Sequence, residues 1–182
     1  MIRLFVALKI PENIKEQLLN ICNGLVPDAS LYSWVTADKI HLTLKFIGEV
    51  EENLVPPIST ELDFVKNYRS FDFKISRFGF FIRDKRPKIL WAGLHTDESI
   101  YKLVKELNKR MEFFNIEPER RKFKSHLTLL RIKSKIDENF ISNFNNYQFD
   151  NLKFKTNKIA LVKSELSQTG AQYTEINNYE LI

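Results

Sequence analysis

The tetrapeptide HLTL stands at His41 to Leu44 and again at His126 to Leu129, in a chain with three histidines. On average composition, two of three histidines both followed by Leu-Thr-Leu arise by chance roughly once in a million. Such a repeat reports duplicated architecture or duplicated chemistry. Setting Leu8 against Leu94 and His41 against His126 aligns the halves at an offset of about 85 positions, with RLFVAL over ILWAGL and FDFKISRFGFF over LKFKTNKIALV. That offset is too long for a solenoid period and fits a duplicated lobe. The expected organisation is one bilobal domain over residues 1–182, in approximate halves 1–84 and 85–182, with terminal strands open to exchange between lobes.

Periodicity orders the elements in the same way twice. Arg3 to Lys9 reads as a strand, and Pro11 opens a helix with Ile14, Leu18, Ile21 and Cys22 on one stripe up to Gly24. A short run, Tyr32 to Val35, leads to the strand IHLTLKFIG. A helix over Leu54 to Val65, with Pro56 and Pro57 in its first turn, precedes the strand Phe71 to Phe81. After RDKRP come the strand KILWAGLH, a helix from about Asp97 to Phe114, and the strand FKSHLTLLR. A short helix near Asp137 to Phe144, the run LKFKTNKIALVKSEL and the strand-like QYTEINNYEL complete the chain. The predicted class is α+β: two strand-helix-strand lobes related by a pseudo-twofold axis, with equivalent strands facing across a cleft.

In a strand, residues two apart share a face, so His41 and Thr43 point one way while Leu42 and Leu44 pack the other. Across a cleft, two such strands bring two imidazoles to one small ligand, one able to accept a proton and the other to donate one. The hydroxyls of Thr43 and Thr128 suit non-bridging phosphate oxygens as charge develops there. This equipment fits acid-base displacement at phosphorus. Lys45 shares parity with His41 and Thr43 and is the cation this alternation favours, whereas Arg131 has the wrong parity for the His126 face unless the strand twists or ends before it. Phe5 and Ala7 in the first lobe, and Trp91 and Gly93 in the second, turn away from the core. Phe5 and Trp91 either stack on a base or pack between the lobes.

Other chemistries fit less well. Neither motif carries a carboxylate or second histidine at metal-ligand spacing, so no metal and no cofactor is expected. No G-x-S-x-G, P-loop or G-x-G-x-x-G is present. His95 ends its strand outside any repeat and reads as a solvent-facing residue. The lone Cys22 excludes an intrachain disulfide and reads as core filler. With 43% hydrophobic residues, 15 Phe, 5 Gly and 6 Pro, most of the chain should lie in regular elements. A net charge of +5 favours anionic partners weakly, through clusters at Arg83, Lys85, Arg86 and Lys88 and at Arg120, Arg121, Lys122 and Lys124. The amino terminus lacks a long apolar stretch, and no run reaches membrane-span length, so a cytoplasmic location without membrane association is expected.

RLFVAL, HLTLKFIGEV, FGFF, PKILWAGL, the second HLTL followed by Arg131, and SEL then GAQY within Ser164 to Tyr173 follow in order a known pattern. The chain resembles the two-histidine (2H) phosphoesterases, and among them the RNA 2′,3′-cyclic phosphodiesterases also described as 2′-5′ RNA ligases (LigT-like). Ser125 departs from it, since proline more often precedes the second histidine. The resemblance implies two antiparallel sheets flanking the cleft with helices outside, and metal-independent hydrolysis of a 2′,3′-cyclic phosphate to a 2′-phosphomonoester. It implies His41 as proton donor to the departing 3′ oxygen, His126 as proton acceptor from water, and Arg131 as a phosphate-binding residue; Tyr173, in GAQY, joins the expected substrate-binding set with Lys45, Phe5 and Trp91. RNA ending in a cyclic phosphate is the expected partner, with a small cyclic nucleotide such as a cyclic phosphate of ADP-ribose, 2′-5′ ligation, or a non-catalytic RNA-binding module as alternatives. A monomer is the expected state.

Overall fold

Alternation carries most of the chain into sheets. In β1 (Ile2–Lys9), Leu4, Val6 and Leu8 enter the main core, while Phe5 and Ala7 form a separate small cluster with Ala160 and Val162 on the other face. The computed structural model describes residues 1–167 and 170–182, so the stretch from Ser164 to Tyr173 is described apart from its positions 168–169. The other strands are β2 (His41–Val50), β3 (Phe71–Arg83), β4 (Arg86–His95), β5 (His126–Arg131), β6 (Lys153–Thr156), β7 (Lys158–Ser167) and β8 (Gly170–Glu180). They form two antiparallel sheets with orders β2-β1-β7-β8 and β5-β4-β3-β6. In each, an HLTL strand lies at one edge beside the opening strand of its lobe.

The two halves of the chain interleave. β3 of the first half lies in the second sheet, and β7 and β8 of the second half lie in the first. Sequence alone reads LKFKTNKIALVKSEL as one run, but the structure breaks it at Asn157. There β6 pairs with β3 and β7 with β1, in different sheets. The sign of this break is a phase slip, since Phe154 and Thr156 are buried on one side of Asn157 and Ile159 and Leu161 on the other. A polar Thr at the slip hides it. The crossing is tied by the Thr156 hydroxyl donating to the Lys9 carbonyl at 2.7 Å and by the Leu181 N–H donating to the Asn157 carbonyl at 2.8 Å.

Among the described residues, four α-helices cover the core faces and leave the Phe5/Ala7 face open. α1 (Glu12–Gly24) buries Ile14, Leu18 and Cys22, whose thiol is pushed up to about 12 by burial and is inert. α2 (Val55–Glu61) starts with both prolines in its first turn, where no intrahelical N–H is lost, and runs into 3₁₀ turns. α3 (Ser99–Met111) buries Ile100, Leu103, Val104, Leu107 and Met111, and α4 (Glu138–Asn146), capped by Asp137, buries Phe140 and Phe144. No helix among the described residues is long and apolar enough to cross a membrane. Ahead of β2, Trp34 bridges Leu130 of β5 and the Val35 N–H donates to the Leu129 carbonyl at 2.8 Å. The segment leading to the first HLTL is thus paired with the second.

Replacing Thr156 by Val keeps the shape but leaves the Lys9 carbonyl without its donor. The expected cost is about 1–3 kcal/mol, read as a lower urea midpoint at unchanged slope. An unchanged midpoint would mean that water satisfies that carbonyl.

Candidate active site

Both HLTL strands depart from strict alternation at the same place. In the first, Ala7 pairs with Thr43 but Val6 with Lys45, leaving Leu44 as an extra residue. Such a β-bulge reverses the parity of the positions that follow it, here Lys45 and Phe46, before Ile47 is skipped in its turn between the partners of Phe5 and Leu4. His41 and Thr43 share the open face as expected, but Lys45 turns into the core, 3% exposed, and donates to the Glu117 carbonyl at 2.6 Å. The expectation that Lys45 faces the ligand is therefore corrected. Burial pushes its ammonium below the usual lysine range, against the attraction of Glu119 and Glu112. Phe46, 57% exposed, takes the open side instead, with its ring 6.3 Å from Phe5.

The second motif repeats the device. Trp91 pairs with Thr128 and Leu90 with Leu130, so Leu129 is the extra residue and Leu130 is buried. Arg131 thereby returns to the side of His126 and Thr128, against the parity count, and stands where Phe46 stands in the first lobe. Its charge acts on His41.

Each imidazole is held by the backbone two residues before it. His41 Nδ1 donates to the Lys39 carbonyl at 2.8 Å and His126 Nδ1 to the Lys124 carbonyl at 2.6 Å, which leaves each Nε2 free of the backbone. His41 Nε2 lies 3.0 Å from the Thr43 hydroxyl. Burial holds His41 down at about 4, helped by the charges of Arg131, His126 and Lys15 and opposed by its carbonyl partner. His126 is also lowered, by burial first and then by Lys124. Without an anion both rings are neutral near pH 7.

Aromatic rings back both histidines, but not through the residues that simple alignment matches. Phe5 stacks on His41 at 4.8 Å, and Tyr173 meets His41 edge-on at 5.5 Å and Phe5 at 5.1 Å. In the second lobe Phe81, on β3, meets His126 at 4.9 Å; Trp91 is farther, at 6.4 Å. The ladders show why. Trp91 opposes Thr128 as Ala7 opposes Thr43, so Trp91 is the counterpart of Ala7, and Phe5 that of Ile89. Ala7 beside Ala160 leaves a hollow next to His41 lined also by Lys9, Lys15 and Glu175, whereas Trp91 fills the equivalent place by lying over Gly79. Arg77 and Lys124 lie 5.6 Å from the Trp91 and Phe81 rings, respectively. Of the basic clusters, Lys124 alone is shown against a ring of the site. Phe46 and Phe81 escaped sequence reasoning; the bulge hides Phe46, and the exchange of β3 into the other lobe's sheet hides Phe81. His95 is exposed at the end of β4.

Neutral imidazoles, each with a threonine hydroxyl two residues on and each under the charge of a cation, Arg131 at His41 and Lys124 at His126, are equipped to hold an anion and move protons around it. Among the described residues no group of three or more His, Cys, Asp or Glu lies together as a metal site would need. A family model described as LigT like phosphoesterase matches residues 8–91 and 94–173. A curated protein of Thermotoga maritima named RNA 2′,3′-cyclic phosphodiesterase is 30% identical over 174 residues, covering 94% of this chain and 91% of its own. One of the same name from Aquifex aeolicus is 30% identical over 154 residues, 81% of each chain. Among solved structures, TT0787 of Thermus thermophilus superposes with a TM-score of 0.82 at 25% identity over 98% of this chain and 97% of that one. Escherichia coli LigT in its apo form gives 0.82 at 23% identity, over 99% and 97%.

The seat of Trp91 can be tested directly. A Cβ at Gly79 would stand 2.3 Å from the indole, far inside contact distance. Gly79→Ala, in a Trp34→Phe background that leaves Trp91 as the only indole, should shift the emission of Trp91 while the fold survives. Unchanged emission would show that the ring does not lie across β3.

Proposed function

We infer the reaction from a firm premise: this chain belongs to the LigT-like phosphoesterase family. It is an RNA 2′,3′-cyclic phosphodiesterase, a hydrolase that opens the cyclic phosphate. The observation that carries the assignment to particular residues is the pairing of two bulged HLTL strands, each with its Nε2 freed by a carbonyl on Nδ1.

In the proposed mechanism the cyclic phosphate lies between His41 and His126. Neutral His126 takes a proton from water as its oxygen forms a bond to phosphorus. The bond to the 3′ oxygen breaks, and that oxygen receives the proton of His41 as its imidazolium. The product is a 2′-phosphomonoester with a free 3′ hydroxyl, and the two histidines end with their protonation exchanged. Arg131 and the hydroxyls of Thr43 and Thr128 hold the non-bridging oxygens as negative charge grows on them. No metal is assigned a role. Phe5, stacked on His41, fixes the plane of its ring. Phe46, Trp91 and Tyr173 offer rings to the nucleoside and its neighbours, and Lys124 offers charge to an adjoining phosphate.

His41→Ala and His126→Ala should each lower kcat on a 2′,3′-cyclic nucleotide by on the order of 10²–10⁴-fold with the fold intact, in buffer containing EDTA. Parent-like rates in either variant would remove the paired mechanism. Loss of parent activity on chelation, restored by a divalent metal, would replace it with a metal-activated water.

The lowered histidines also set a pH dependence. The free enzyme is competent when one imidazole is charged and the other neutral, and lowering both pKa values moves that state to lower pH. The maximum of kcat/KM should therefore lie below the ordinary histidine value of about 6.5. A bound anion stabilises the imidazolium, so the kcat profile should lie at higher pH than that of kcat/KM, with both limbs belonging to the coupled pair. A kcat/KM maximum above neutrality, or coincident profiles, would contradict this electrostatic account.

A further inference from the structure

The position after the bulge is filled differently in the two lobes. In the second it is Leu130, 1% exposed, so an apolar side chain satisfies this place in the fold. In the first it is Lys45, likewise buried, and burying an ammonium is unfavourable unless it is bonded or serves another end. Packing supplies no reason for the lysine. Its hydrogen bond does: Nζ donates to the Glu117 carbonyl, 72 residues away in sequence and outside its own lobe's strands.

Glu117 lies in the segment that runs from α3 to His126. The Ile116 N–H is fixed to the Met111 carbonyl, and the Glu119 N–H to the Asn108 side chain at 3.0 Å. Beyond them, residues 120–122 and Lys124 are exposed until Ser125 joins the sheet by accepting from the Leu94 N–H. This segment supplies the Lys124 carbonyl that orients His126. The segment that carries the Lys39 carbonyl to His41 is anchored elsewhere, through Trp34 and Val35 on β5, and not by Lys45.

We propose that Lys45 is a positioning residue: the ammonium delivered by the first HLTL strand holds, through the Glu117 carbonyl, the segment that orients His126, and so couples the geometry of the two lobes. The inference rests on the two-histidine reading for its kinetic consequence and on the structure alone for its effect on the imidazole.

The test compares Lys45→Met, which keeps the length and removes the charge, with Lys45→Arg, which keeps charge and donors, in the full chain. Imidazole nitrogen NMR reads each histidine separately. In Lys45→Met the His126 resonances and titration should shift while those of His41 stay. The kcat for a 2′,3′-cyclic nucleotide should fall by up to about 10²-fold, as expected for a misplaced catalytic group, with KM little changed. Lys45→Arg should restore both. Parent-like His126 signals in Lys45→Met, or equal shifts of both histidines, would overturn the proposal. Should Lys45→Met not fold, Lys45→Gln, polar but too short, takes its place under the same criteria. Retained hydrolysis in His126→Ala would remove the two-histidine reading, and the imidazole signals would still decide the coupling.

Discussion

One extra residue at the end of each HLTL motif governs the site. Leu44 and Leu129 interrupt the ladders at equivalent points, and each interruption reverses the face on which the next side chains emerge. Before the bulge, His and Thr look into the open face; after it, the side chain that alternation would have put there goes to the core and its neighbour comes out. Phe46 and Arg131 thereby emerge on the histidines' side of their strands, and Lys45 and Leu130 are withdrawn. A bulge is the compact way to place a charged or aromatic residue next to an active face without lengthening the strand.

Duplication explains the frame, and its breakage explains the chemistry. The same strand order, bulge and carbonyl-held imidazole occur in both sheets. The differences lie at a few positions: Ala7 and Ala160 leave a hollow where Trp91 over Gly79 fills one, and Phe46 stands as a ring where Arg131 stands as a charge. A symmetric site would serve water and leaving group alike. Here His41, lowered to about 4 and close to Arg131, sits in a different field from His126.

Much of this was legible before any coordinate. The HLTL pair, the core face of β1 and the apolar stripes of α1 and α3 come from periods of two and 3.6, and they carry the α+β lobes and both histidines. Lys45 and Arg131 were beyond that reach, because a bulge made of Leu44 or Leu129 inside an unbroken apolar pattern leaves no mark on alternation. Phe81 was beyond it for another reason: β3 lies in the sheet of the other half, a long-range choice of partner that local pattern does not encode. Asn157, where the chain changes sheets, shows only as a one-residue slip beside a polar Thr.

The central claim is that both imidazoles face one phosphate. Its most direct test is an NMR titration of the histidine nitrogens in the intact protein, with and without a nucleoside 2′-phosphate. The account predicts that the pKa values of His41 and His126 both rise when the phosphate binds, while that of the exposed His95 does not move. A rise confined to one of the pair, or to neither, would contradict it.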